Sequence, residues 1–391
     1  MTVHRVSIPR DDSDDYSAAA AATRRSFLAE QTGSDLSHTG SFSFDPSGLV
    51  GNIENFIGVA QVPIGIAGPL LVRGEHAVGD FYVPLATTEG ALVASYNRGM
   101  RVIHESGGAT VTVSSDHMQR SPAFLFSSAR DARDFGLWVN ETLEKIRTVA
   151  ESTTSVGKLE GIRQFAVGPN LYLRFDYSTG DAAGQNMVSK ATLAACVWIK
   201  ENYGHKVEFI LTGNIDTDKK HSQINTLLTR GKRVIAEVTT SAQTLRDLVG
   251  VSPNELFKAR QISQAGAFMA GSANNGAHAA NGLTALFIAT GQDVANIAES
   301  HSGLLYTQVL DNGDYYWSIT LPSVIIATHG GGTGLATQRE CLELLGCTGT
   351  GSAKKLAEIA AATVLAGEIS LSSAVLAGDW VTGHERLGRN R

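Results

Sequence analysis

Glycine punctuates this chain closely, and that constrains its fold first. There are 41 glycines in 391 residues, and only 18% of the residues are charged. Glycine enters the left-handed backbone region at little steric cost, so it ends helices and turns chains sharply. Here it falls after helix-like stretches: Gly107 and Gly108 close one, Gly204 a second, Gly291 a third. With 43% hydrophobic residues the chain can bury a full core. The balance suits an α/β or α+β enzyme with many tight turns, not a disordered chain. The length exceeds one ordinary domain, so two units, or one unit carrying an insertion, are expected.

The net charge of −6 is spread with both signs mixed. No basic tract or aromatic-basic interleaving points to nucleic acid. No apolar run is read as long enough to cross a bilayer. The N-terminus, MTVHRVSIPRDDSDDYS, lacks the apolar core of a signal peptide. A cytoplasmic protein without a membrane partner is expected. Cys196, Cys341 and Cys347 form no CxxC pair and read as reduced core thiols, with no metal site.

Along the chain, residues 1–45 read as a polar tail, flexible from Asp11 to Asp15, with a short helix from Ala18 to Gln31 suited to packing on a partner subunit. Order begins near Ile53. VPIGIAGPLLV (62–72) is a strand with turns. Thr87 or Thr88 N-caps a helix from Gly90 to Glu105, and 109–116 alternates as a strand. Residues 122–210 read as a separate module: helix 129–151, strand 170–176, helix 183–203, strand 206–212. Then come a strand at 233–241, an apolar helix at 277–293, a pair of strands over 316–334, and a helical stretch at 352–378. Residues 46–121 and 211–378 are taken as one large domain, with 122–210 inserted and 379–391 as a C-terminal flap.

Several residues can bear chemistry. Glu89 lies between Thr88 and Gly90 at a helix start, where it can also serve simply as a favourable first-turn charge. Asp218, Lys219 and Lys220 follow a strand and the turn residues Gly213 and Asn214; such a triplet is commonly solvated surface. Asp293 follows an apolar helix, where the helix dipole disfavours a carboxylate. His278 and Asn281 are spaced to share a helix face, as are Arg98 and Arg101. GDAAGQNM (180–187) opens a helix whose backbone N–H groups can receive a pyrophosphate. It is not GxGxxG, and no Rossmann fold is read.

Six segments in order resemble HMG-CoA reductase of the Asp-Lys-Lys, class I-like type: 54–70, 86–99, 180–187, 212–220, 276–293 and 322–346. The match runs from about Glu54 to Arg389. The resemblance implies an α+β fold: a large helical and β domain for substrate binding and dimerisation, with a small ferredoxin-like α/β dinucleotide-binding domain inserted. It implies a catalytic portion without a membrane anchor, acting on HMG-CoA with NADPH in the mevalonate pathway, as a homo-oligomer (dimer or tetramer) whose active site lies at a subunit interface. Glu89 is then the proton donor, Lys219 the cation at the oxyanion, Asp293 their linker, and His384 the acid for the CoA thiolate. Ser95, Asn97, Arg98, Arg101, Arg120, Thr212, Asn214, Asp218, Lys220, His278 and Asn281 match substrate and CoA positions. Asp181, Ala183, Gly184, Asn186 and Gly330, Gly331 and Gly332 match cofactor positions.

The chain departs from the family in three places. TTSVGKL (153–159) lacks the arginine that meets the 2′-phosphate of NADPH. Lys158 is its candidate substitute, and NADH is the alternative cofactor. Ile262 stands where the family has a lysine for the acyl carboxylate, with Lys258 or Arg260 as candidates from a shifted position. The segment before His278 is one residue shorter, and His329 replaces a small apolar residue. These changes keep two other readings open: a reductase for a different acyl-CoA or carrier thioester, and an inactive CoA-binding paralogue.

Overall fold

The computed structural model describes residues 6–378. The chain begins with α1 (Ala18–Thr32), capped by the Ser17 hydroxyl and ended by Gly33 in the left-handed region. The preceding segment is tied down rather than loose. Arg24 is buried and donates to the carbonyls of Pro9, Asp15 and Phe56 as well as to the Asp15 carboxylate. The expected flexible stretch at Asp11–Asp15 is therefore anchored at its end.

β1 (Ile64–Gly74) and β2 (Val78–Ala86) form an antiparallel pair. α2 (Leu92–Glu105) follows, then β3 (Ala109–Arg120), β4 (Ala123–Leu125), α3 (Ala129–Glu141) and α4 (Leu143–Glu151). The single helix expected over 129–151 is thus two, divided at Thr142. β5 (Lys158–Val167), β6 (Asn170–Ser178), α5 (Gln185–Asn202) and β7 (Glu208–Ile210) complete a β-α-β-β-α-β order. In this small sheet β7 pairs with β4, β4 with β6, and β6 with β5. That strand order is ferredoxin-like, not doubly wound.

Next come α6 (Gln223–Leu228), β8 (Gly231–Thr240), α7 (Ala242–Val249) and α8 (Pro253–Met269). α8 starts with a reciprocal Ser252–Glu255 capping box. α9 (Ala279–Thr290) ends on Gly291 in the left-handed region, and α10 (Ile297–Ser300) follows a 3₁₀ turn over Val294–Asn296. β9 (Leu304–Val309), β10 (Tyr315–Val324), α11 (Ala336–Leu344) and α12 (Ser352–Ala377) end the described chain. Where two strands were expected over 316–334 there is one, β10. The rest is loop and a 3₁₀ turn at Gly331–Gly334.

The large sheet runs β2-β1-β3-β8-β10-β9, with β1 parallel to β3. β3 leaves this sheet after His117 and pairs with β6 through Met118–Arg120, so one strand belongs to both sheets. Two cores result. One packs α2, α9 and α12 on the large sheet, and the other gathers residues from Met118 to Val207 with Ile325.

α12 corrects another expectation: at 26 residues it is long and apolar enough to cross a membrane, yet most of it is buried within the protein. Its small residues allow very close approach. A Cβ on Gly99 of α2 would lie 1.8 Å from the Ala366 carbonyl oxygen. Its buried carboxylates are spent on backbone. Glu358 accepts from the amides of Glu75, His76 and Ala77, and Glu368 from those of Ala277 and His278. The three cysteines are free and buried.

Candidate active site

Helix α9 organises the site, with a different group at each end. At its C-terminal end, Gly291 turns the chain so that Asp293 N-caps the following 3₁₀ turn, its Oδ1 accepting from Ala295 N–H at 3.1 Å. The dipole conflict expected at Asp293 does not arise, because this residue serves the next helical turn and not the end of α9. Its other oxygen meets the Lys219 Nζ at 2.8 Å. Lys219 reaches it from a loop in which three non-glycine residues, Asn214, Thr217 and Lys219, hold positive φ angles of 67°, 48° and 55°. Such backbone persists only where its surroundings dictate it.

At the N-terminal end of α9, Asn281 donates to Glu89 Oε2 at 2.8 Å. Glu89 is not in a first helical turn, as expected. It lies in a turn ahead of α2, its amide donating to the Thr87 hydroxyl at 3.0 Å, while Ala91 opens the helix with φ 67°. Glu89 is exposed in this chain. His278 N-caps α9 and is buried, stacked on Tyr96 with ring centroids 4.8 Å apart. Burial pushes its imidazole below the usual range, which favours the neutral ring, and the Asn281 side chain and Glu89 oppose this. From Asn281 to Thr290 the helix rises about 13 Å. The structure therefore joins Lys219 with Asp293, and Glu89 with Asn281 and His278, but sets the two groups at opposite ends of one helix.

Beside Asp293 opens a cleft of about 610 Å³. Ala183, Gly184 and Asn186 line one wall at the start of α5, and Gly330, Gly331 and Gly332 line another. A Cβ on Gly330 or Gly331 would meet nothing within 4 Å, so these glycines face open space. His329 is exposed on the same rim. Two expected cofactor residues are not on the wall. Asp181 is used structurally: its carboxylate accepts from Gly351 and Ala353 N–H at the start of α12, and its carbonyl from Thr328 and His329 N–H. Lys158 pairs with Glu151 at 3.0 Å on the exposed edge of the small sheet.

The expected substrate residues divide likewise. Ser95 lies between His278 Nε2 at 3.3 Å and the Ser370 hydroxyl at 3.0 Å, Asn97 accepts from Gly68 N–H at 2.9 Å, and Arg98 donates to Ser370. Arg101 and Thr212 are exposed. Arg120 pairs with the buried Asp216 at 3.0 Å, and Lys220 Nζ donates to the Asp218 carbonyl. Arg260 is tied to the carbonyls of Asn275 and Leu305, leaving Lys258 exposed on α8 and Ile262 66% exposed. His384 lies outside the described residues.

Sequence reading missed a buried group behind the lysine loop. Arg230, fully buried, donates to Glu299 Oε1 at 2.6 Å and to Asp218 Oδ1 at 2.9 Å. Gln185 Nε2 joins Asp218 to Asn296 at 3.3 and 3.0 Å. Burial pushes the Glu299 carboxyl up to about 7 against the pull of Arg230 and the Lys219 amide. No local spacing announces these residues: Glu299 stands 69 residues from Arg230 and 80 from Lys219.

The profile of the family described as hydroxymethylglutaryl-coenzyme A reductase matches residues 20–389. A 3-hydroxy-3-methylglutaryl-coenzyme A reductase of Pyrococcus horikoshii is 45% identical over 95% of this chain and 92% of its own. One of Methanocaldococcus jannaschii is 44% identical over 95% of this chain and 94% of its own. Among solved structures, the class II 3-hydroxy-3-methylglutaryl-CoA reductase from Streptococcus pneumoniae bound to NADPH shares the fold. Its TM-score is 0.67 at 21% identity, covering 83% of this chain and 87% of that one.

Proposed function

We propose, for a chain that belongs to the hydroxymethylglutaryl-coenzyme A reductase family, that it reduces (S)-3-hydroxy-3-methylglutaryl-CoA to mevalonate and CoA with two NADPH. The observation that supports this best is the Lys219–Asp293 pair, with Asp293 on the wall of the glycine-lined cleft. The start of α5 offers backbone N–H groups to a pyrophosphate, and Gly330 and Gly331 leave room for close backbone approach. NADPH supplies the two hydrides when bound there.

The protein's residues handle the charge those transfers create. The first transfer turns the thioester carbonyl oxygen into an oxyanion, which the Lys219 ammonium stabilises. The carbon–sulfur bond then breaks, and the CoA thiolate leaves with a proton from His384. The second transfer makes an alkoxide at the same cation, and Glu89 protonates it. Asp293 holds the ammonium in place.

Glu89 and Lys219 lie at opposite ends of α9, so we assign them to one centre only across two copies of the chain. Exposed apolar residues at the end of α8, Phe268 at 87% and Met269 at 86%, support such an interface. The test is NADPH oxidation with HMG-CoA and, in parallel, with other acyl-CoAs and with NADH. Turnover with another acyl-CoA and none with HMG-CoA overturns the substrate. Light scattering that finds a fully active monomer overturns the shared site.

A further inference from the structure

The segment from Asp293 to Ser300 touches Lys219 twice. Asp293, at its start, holds the Lys219 ammonium at 2.8 Å. Glu299, near its end, accepts from the Lys219 backbone amide at 3.1 Å. We propose that Glu299, fixed by Arg230, is a positioning residue that sets the Lys219 backbone and so aims its ammonium at Asp293 and the cleft. This rests on the reading of Lys219 as the cation at the oxyanion.

Four observations support it. Glu299 is 1% exposed and Arg230 fully buried, so their pairing is shielded from solvent competition. A buried carboxylate is poor packing material, because desolvation opposes it unless partners compensate. Here the compensation falls on the loop that presents Lys219. One oxygen, Oε1, takes both the Arg230 guanidinium and the Lys219 amide. Second, Lys219 has a φ of 55°, a conformation a lysine rarely adopts and one that the bond to Glu299 helps to hold. Third, the same guanidinium grips the neighbouring Asp218, so backbone and side chain of consecutive residues are both restrained. Fourth, Gln185, the first residue of α5, bonds both Asp218 and Asn296. The lysine loop, the Asp293 segment and the cleft helix are thereby one connected unit. The ionisable side chains facing Glu299 are Arg230, Asp218 and Asp216.

The pair is placed to align the ammonium, not to touch substrate. An ammonium moved by about an ångström at both hydride transfers lowers turnover roughly 10- to 100-fold, with little change in binding. The experiment compares the wild type with E299Q, E299D and Lys219→Ala. E299D keeps a carboxylate in the buried group but draws the shared oxygen back from both Arg230 and the Lys219 amide. Turnover is measured with HMG-CoA and with the corresponding free aldehyde, per NADPH-binding site counted by fluorescence titration. The expected result is the same roughly 10- to 100-fold loss in kcat on both substrates, KM within about threefold, and an unchanged number of sites. Should E299Q lose its sites, E299D decides alone. Wild-type kcat per site, an effect confined to KM or to the thioester, or loss of sites in both variants overturns the assignment. An active Lys219→Ala protein would remove the underlying reading of the lysine. An inert Lys219→Ala protein beside wild-type-like glutamate variants would remove only the role of Glu299.

Discussion

The two ends of α9 are built differently. At the C-terminal end, Lys219 is held by its ammonium and by its backbone, and behind it stand buried Arg230 and Glu299. At the N-terminal end, Glu89 sits exposed in a turn, joined to α9 by one hydrogen bond from Asn281. On the function proposed above, one chain holds the cationic half of the centre, and the acid half needs a further surface to bury it. The difference has a physical reason. A cation at an oxyanion acts through placement, and placement comes from restraint within the chain. A proton donor acts through its surroundings, and on the proposed reading those come from a second copy.

The sharpest attempt to break this contrast is removal of the cation. Lys219→Ala should lower kcat roughly 10²- to 10³-fold while NADPH binding persists, and steady-state kinetics with fluorescence titration checks both. Mixing Lys219→Ala chains with Glu89→Gln chains should then restore part of the activity, because a hybrid dimer contains one intact centre. Two inactive parents that never complement would place both groups in the same chain.

Glu89→Gln by itself should cost roughly 10²-fold, the smaller end of what a proton donor contributes. Diluting the wild type until light scattering reports monomers should abolish turnover yet leave the cleft able to bind NADPH. A monomer that retains turnover contradicts the unfinished acid half.

A stability measurement probes the lysine end separately. Burial raises the Glu299 carboxyl from an ordinary value of 4.5 to about 7. A raised carboxyl binds its proton more tightly in the folded state, so its contribution is fully present below about pH 4.5 and is lost as pH rises through about 7. Denaturant unfolding at pH 5 and pH 8 should show the wild type losing up to a few kcal/mol relative to E299Q. Parallel curves for the two proteins would refute this. The smallest effect belongs to the acid end. Asn281→Ala removes one exposed hydrogen bond to Glu89, about 0.5–1.5 kcal/mol, and should lower kcat less than about tenfold.

How much of this was legible beforehand differs between the ends in the same way. α9 itself was readable, since an apolar run stopped by glycine has a local cause, and Gly291 takes the expected left-handed conformation. The inserted β-α-β-β-α-β order was readable in part. Its helices and β6 showed local periodicity, whereas β5 has a weak, largely half-exposed pattern that resembles loop. α8 was not read from the sequence; its start is marked by Ser252, Pro253 and Glu255, but the apolar residues near its end form no inward stripe and remain exposed. Asp293 was read at the wrong element, because whether a carboxylate after a helix ends that helix or caps the next turn depends on the chain reversal at Gly291.

By itself, the sequence determined which residue types are available and where the chain turns: the Asp-Lys-Lys loop, the glycine runs, the glutamate ahead of α2. These are local properties, set by backbone sterics and by short-range spacing. Only the tertiary structure decided which charges meet. Lys219 meets Asp293 and Glu299 across 74 to 80 residues, and Arg230 meets Glu299 across 69, because α10 packs against α9 and β10, and β10 pairs with β8. It also decided that Glu89 and Lys219 do not meet within one chain, since a rigid helix stands between them.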